Sequence, residues 1–283
     1  MEYIPKIRRV EGSAGIALGN EGTIYAATGA GPHDPANGQY GSSIVALDPK
    51  TLKPTDWFSP GGASRNLNFS TTPVVFTYKE KEYIVAGGQE GRLYVLDAAS
   101  PGGADHQTPL YRSSIYSAAK TAPTALATWE DSAGVRWILA ATGGPISSET
   151  RFPVTNGDAR NGTIAAFKVV EENGKPALQP GWVSRDLMSP APPIVVNGVV
   201  FALSTGEYAA PANSTLTAEQ RAQRSAPAVL YALDGSNGKE LWNSGKTMAS
   251  FSHSGGLASA ASKVFVSTGD NTLYAFGWAI LRD

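Results

Sequence analysis

The chain has 283 residues, of which 42% are hydrophobic and only 17% charged, and its formal net charge is −1. Such a chain can bury a sizeable core, and with no basic stretch to follow phosphates it is not expected to bind nucleic acid. It has no cysteine, which excludes a disulfide framework and thiolate metal sites. No apolar run approaches the roughly 20 residues of a membrane helix, so no membrane span is expected.

Gly 31 and Pro 19 suit many short strands joined by turns. Met1 to Val10 lacks the apolar centre of a signal peptide. Either the protein stays inside the cell or a leader has been removed. From Gly15 onward one unit repeats: an apolar strand ending in Thr-Gly or Gly-Gly, a second strand like Tyr-Ala-Leu-Asp, then a turn and an aromatic. The first copy runs through Thr23-Ile-Tyr-Ala-Ala-Thr-Gly29, Ser43-Ile-Val-Ala-Leu-Asp48 and Trp57. The second has Tyr83-Ile-Val-Ala-Gly-Gly88, Leu93-Tyr-Val-Leu-Asp97 and Tyr111, and the third has Trp137 to Gly143, Thr163-Ile-Ala-Ala-Phe167 and Trp182. The fourth has Val199 to Gly206, Leu230-Tyr-Ala-Leu-Asp234 and Trp242, and the fifth has Val264 to Gly269, Leu273-Tyr-Ala-Phe276 and Trp278.

Strand after strand is apolar on both faces, so one unit alone would leave a greasy face wet. The units must stack around an axis, which predicts an all-β fold, a β-propeller of four-stranded antiparallel blades. Five repeats are counted, over residues 12–59, 71–116, 122–186, 189–246 and 254–283, in a single domain of 1–283. They either close a ring or belong to a larger seven- or eight-bladed one, and an incomplete ring would favour an oligomer. Tyr3 to Val10 is a candidate closing strand. Thr217-Ala-Glu-Gln220 reads as a capping box and predicts one short helix over 214–224.

The Tyr-Ala-Leu-Asp, Gly-Lys-Glu-Leu-Trp and Val-Phe-Val-Ser-Thr-Gly-Asp series resembles the propeller repeat of pyrroloquinoline quinone (PQQ) enzymes over nearly the whole chain. Ala27 to Ala30, Gly41 to Asp48, Pro73 and Gly91 to Asp97 follow the order of the central part of quinoprotein alcohol dehydrogenases. That resemblance implies PQQ and calcium as cofactors, with Arg65, Asn66, Asn68 and Gln89 at cofactor-binding positions. It also implies a periplasmic or secreted location in a bacterium. Several functional positions depart from the family. The calcium-binding Asn is Ala30, whose methyl cannot coordinate a hard cation. The stretch expected to hold the catalytic Asp reads Arg65-Asn-Leu-Asn-Phe-Ser70, and no Asp or Glu lies between Asp56 and Glu80. The basic residue that contacts the quinone falls near the neutral Gln89.

Copies one, three and four carry long insertions between their second and third strands, at 30–41, 144–161 and 207–228. One connection means one face, and loops raised on a rigid scaffold are where binding concentrates. This face offers His33, Asp34, Glu149, Arg151, Asp158, Arg160, Glu207, Tyr208 and Arg224, joined by Arg185, Asp186 and His253 from the connections between copies. His33-Asp34 also reads as turn sequence, and Asp158 and Arg160 can simply pair. The three histidines, His33, His106 and His253, lack metal-ligand spacing, so no metal site is expected. Three readings are open. The first is a non-catalytic binding or scaffold module for a protein or small-molecule ligand, as in a propeller lipoprotein of bacterial outer-membrane assembly with this repeat type. The second is a PQQ-dependent alcohol dehydrogenase, divergent or a fragment. The third is a propeller hydrolase using the mouth carboxylates Glu149, Asp158 and Glu207.

Overall fold

The computed structural model describes residues 10–11, 15–61, 68–69, 71–118, 126–210, 213–253 and 256–277. Arg65 and Asn66, Tyr3 to Arg9 and Trp278 lie outside these. The described chain is a β-propeller. Its first sheet holds β1 (Val10–Glu11), β2 (Ala17–Leu18) and β3 (Ile24–Thr28), then, beyond the side hairpin β4 (His33–Asp34) and β5 (Gln39–Tyr40), β6 (Ile44–Leu47) and β7 (Pro54–Phe58). The second is β8 (Val74–Tyr78), β9 (Lys81–Gly88), β10 (Arg92–Asp97) and β11 (Tyr111–Arg112). The third comprises β12 (Leu126–Glu130), β13 (Arg136–Thr142), β14 (Val154–Thr155), β15 (Thr163–Glu172) and β16 (Lys175–Val183). The fourth is β17 (Ile194–Val196), β18 (Val199–Ser204), β19 (Val229–Asp234) and β20 (Glu240–Asn243); α1 (Ala218–Arg224) lies between β18 and β19. The fifth contains β21 (Leu257–Ala260), β22 (Lys263–Ser267) and β23 (Leu273–Gly277).

The radial arrangement follows from which strands touch. The first strands of successive sheets are in contact: β2 with β8, β8 with β12, β12 with β17, β17 with β21. Side-chain alternation then sends each face of a sheet to a different neighbour. In β13, Ile138 and Ala140 join the cluster shared with the second sheet, whereas Trp137, Leu139 and Ala141 join the one shared with the fourth. Ile138, Leu139 and Ile164 are completely buried, and each such side chain is worth about 1.5–3 kcal/mol.

Aromatic side chains on outer strands fasten the first four sheets to one another. Trp182 Nε1 donates to the Gly235 carbonyl at 2.9 Å across the third joint. Gly238 lies against that indole with φ +73°, and a Cβ there would collide with the ring. Trp57 stacks on His106 of the second sheet's long loop at 3.9 Å. Tyr111 donates its hydroxyl to the Leu178 carbonyl at 3.0 Å.

Three details differ from the repeat pattern. The third sheet gains β14, which pairs in parallel with β16 and covers its outer edge. The first sheet gains β1, since Val10 pairs with Thr28. Among the described residues the fifth sheet has three strands.

Candidate functional site

The fourth sheet's insertion builds a polar recess with the connection to the fifth sheet. Thr217 accepts from the Gln220 amide and Gln220 accepts from the Thr217 amide, closing the capping box that starts α1. Gly206, at φ +70°, turns the chain out of β18 and accepts from the Ala226 amide at 2.8 Å, which closes the base of the loop. Ser225 Oγ accepts from the Tyr208 amide at 2.9 Å, and the Arg224 guanidinium lies 5.5 Å over the Tyr208 ring. From the other side, the Ser252 amide donates to Thr205 at 2.8 Å. That bond places Phe251 and His253 opposite the loop.

His253 Nδ1 lies 2.9 Å from Glu207 Oε1, and the side chains are 71% and 33% exposed. Phe251 presents its ring edge-on to His253 at 5.1 Å. Glu207, Ala218, Arg221, Ser225, Phe251 and His253 line a cavity of about 370 Å³. The lining offers the Glu207 and Glu219 carboxylates, an imidazole, a guanidinium with planar donors and an aromatic ring. A small polar ligand with both donor and anionic groups finds complements there. Ser225 Oγ is already committed to the Arg221 carbonyl at 2.9 Å, so it is not poised as a nucleophile.

The structure brings Glu207, Tyr208, Arg224 and His253 together and sets the other expected residues apart. His33 Nδ1 sits 3.1 Å from Ser43 Oγ and 3.2 Å from the Gly41 carbonyl, and Asp34 accepts from Asn37 at 2.6 Å. Both hold their own hairpin. Glu149 reaches Arg92 at 3.8 Å, and Asp158 faces Arg160 at 3.8 Å with both exposed. Arg151 is exposed. Arg185 pairs with Glu240 and lies 4.7 Å over the Tyr231 ring, a joint between the third and fourth sheets. Asp186 accepts from the Arg160 and Asn161 amides at 2.7 Å each. Burial would raise its carboxyl, but bonds from the Asn161 amide and side chain and from Arg160 outweigh that and hold it low.

At the expected cofactor positions, Asn68 Nδ2 donates to Gln89 Oε1 at 3.0 Å, and the Gln89 amide returns to the Asn68 carbonyl at 2.8 Å. Beside them Glu90 accepts from the Tyr94 hydroxyl and keeps a buried oxygen without a partner. Burial, then the Glu90 carboxylate, push the Tyr94 hydroxyl far up. Arg221 and Phe251 were not singled out from the sequence. Arg221 follows from the capping box, which fixes the helix that carries it; Phe251 has no local signal.

Among the described residues no group of three or more His, Cys, Asp or Glu side chains could hold a metal, and no helix is long and apolar enough to cross a membrane. No protein-family model matches the chain, and no curated protein sequence matches it. Solved structures similar to it include BamB from Moraxella catarrhalis, at 13% identity and TM-score 0.45, covering 93% of this chain and 70% of that one. A quinohemoprotein alcohol dehydrogenase from Pseudomonas putida is similar at 13% identity and TM-score 0.49, covering 95% of this chain and 45% of that one. BBS1N, in complex with ARL6DN, is similar at 11% identity and TM-score 0.49, covering 90% of this chain and 60% of that one. The chain therefore spans between 45% and 70% of those three lengths.

Proposed function

We propose that the protein is a non-catalytic propeller module that binds a small polar ligand, or a polar side chain of a protein partner, in the recess between α1 and His253. The observation that carries this reading is the cavity of about 370 Å³ with the Glu207–His253 contact at its wall. Its loop leaves β18 and returns to β19, two strands buried through their middles, so that side of the recess is raised on a rigid base. A periplasmic or secreted location goes with this reading.

The alternative is a PQQ-dependent alcohol dehydrogenase, favoured by the meeting of Asn68 and Gln89. Those described residues do not fit a calcium-bound quinone: they are two neutral amides bonded to each other. The neighbouring carboxylate, Glu90, is turned to Tyr94. The binding reading needs no cofactor. Calorimetric titration with a panel of small hydroxy and amino carboxylates tests it. At least one compound binds, and Glu207→Gln and Arg221→Ala each weaken it about tenfold, roughly 1.4 kcal/mol. Binding that survives both changes, or dye-linked alcohol oxidation on adding PQQ and calcium, overturns the reading.

A further inference from the structure

Among the described residues four buried side-chain polar atoms lack a hydrogen-bond partner, and two of them, Glu90 Oε2 and Tyr116 Oη, belong to residues that meet at one turn of the second sheet. The Gly91 amide donates to the Gly88 carbonyl at 3.0 Å and closes the turn between β9 and β10. The Tyr116 amide then donates to the Gly91 carbonyl at 2.9 Å, which fixes Tyr116 beside that turn.

The two side chains have opposite needs. Glu90 folds back over Gly88, where a Cβ would collide with its carboxylate. Its Oε1 accepts from the Tyr94 hydroxyl, so Oε2 is a buried acceptor without a donor. Tyr116 is 1% exposed, and its ring packs edge-to-face on Phe167 at 5.3 Å. Burial, and after it the Glu90 charge, push the Tyr116 hydroxyl far up. It therefore keeps its proton and needs an acceptor. Folded interiors seldom leave such groups bare, and enclosed water is the usual remedy.

We propose that one ordered water is held between these residues, donating to Glu90 Oε2 and accepting from Tyr116 Oη. Water suits the pair because it gives and takes a hydrogen bond at once. A metal ion would satisfy the carboxylate and leave the phenol proton without an acceptor, and an ammonium brings donors only. The bridge also joins two parts of the core. Tyr94 belongs to the cluster shared by the first and second sheets, and Tyr116 to the one shared by the second and third. The run from Tyr94 through Glu90 and the water to Tyr116 links one joint to the next across the second sheet.

A high-resolution crystal structure tests this. One water is expected about 2.5–3.0 Å from both oxygens. Tyr116→Phe keeps the ring and should lose that water. Gly88→Ala, which displaces the carboxylate, should lose it with Tyr116 still in place. In chemical unfolding, Tyr116→Phe and Glu90→Gln are expected to depart from additivity by at least about threefold in the folding constant. A direct hydrogen bond between Glu90 and Tyr116, a carboxylate turned out to solvent, a dry gap between the two oxygens or a metal ion there overturns the proposal. So do additive effects in the double variant.

Discussion

The insertions of the third and fourth sheets leave the same connection and take opposite courses. The third, between Thr142 and Thr163, drives Phe152 into the cluster shared by the second and third sheets, where it packs edge-to-face on Phe167 at 5.3 Å. It then runs out along the sheet as β14, and Asn156 bonds the Val183 carbonyl and the Asn237 carbonyl of the fourth sheet at 2.9 Å each. The fourth, between Ser204 and Val229, carries a helix with no buried residue. One loop has become scaffold, while the other stands proud and encloses a recess. The buried aromatic separates the two loops together with the β14 pairing, since burying one Phe contributes about 1.5–3 kcal/mol.

That contrast can be broken at Phe152. Phe152→Ala is expected to cost about 3–5 kcal/mol, seen as a lower denaturant midpoint, and to make 144–161 a protease target. If the loop stays protected, the anchor is not what holds it. A smaller effect is expected at its return, where the Asp186 carboxylate binds two amides. Asp186→Asn should cost about 1–2 kcal/mol at neutral pH. The folded-state pKa is depressed, so this stability is present above the ordinary carboxyl value near 4 and is lost as pH falls through the lowered one. Unfolding curves of the two proteins should therefore converge in acid, and a gap that persists there would refute the assignment.

Thr217→Ala removes the cap of α1 and should cost the helix about 1 kcal/mol. Faster amide exchange over Ala218–Arg224 with an unchanged global midpoint is the expected signature. The weakest change is Asp158→Asn. Its ion pair with Arg160 spans 3.8 Å between exposed groups, so a shift under about 0.5 kcal/mol is expected.

The repeating parts of the molecule were readable because they rest on local pattern. Tyr-Ala-Leu-Asp strands alternate at period 2 whatever lies far away, and Thr217 with Gln220 starts a helix by itself. That the three insertions share one strand connection followed from their position in the unit. Their courses did not, because Phe152 finds its place against Phe167 only once two sheets have packed. The two-residue β14 is too short to show a period. Glu207 and His253 were both named from the sequence, yet their contact spans 46 residues and two sheets, and no spacing rule could join them. Arg185, named from the sequence at the insertion face, lies over Tyr231 and pairs with Glu240, contacts that no local pattern announces.

Each large cluster is shared by only two consecutive sheets. Cooperativity then passes hand to hand around the arc, as in a row of dominoes, and not through one common centre. Evolution could therefore lengthen or trim such a protein by whole sheets without redesigning the ones that remain.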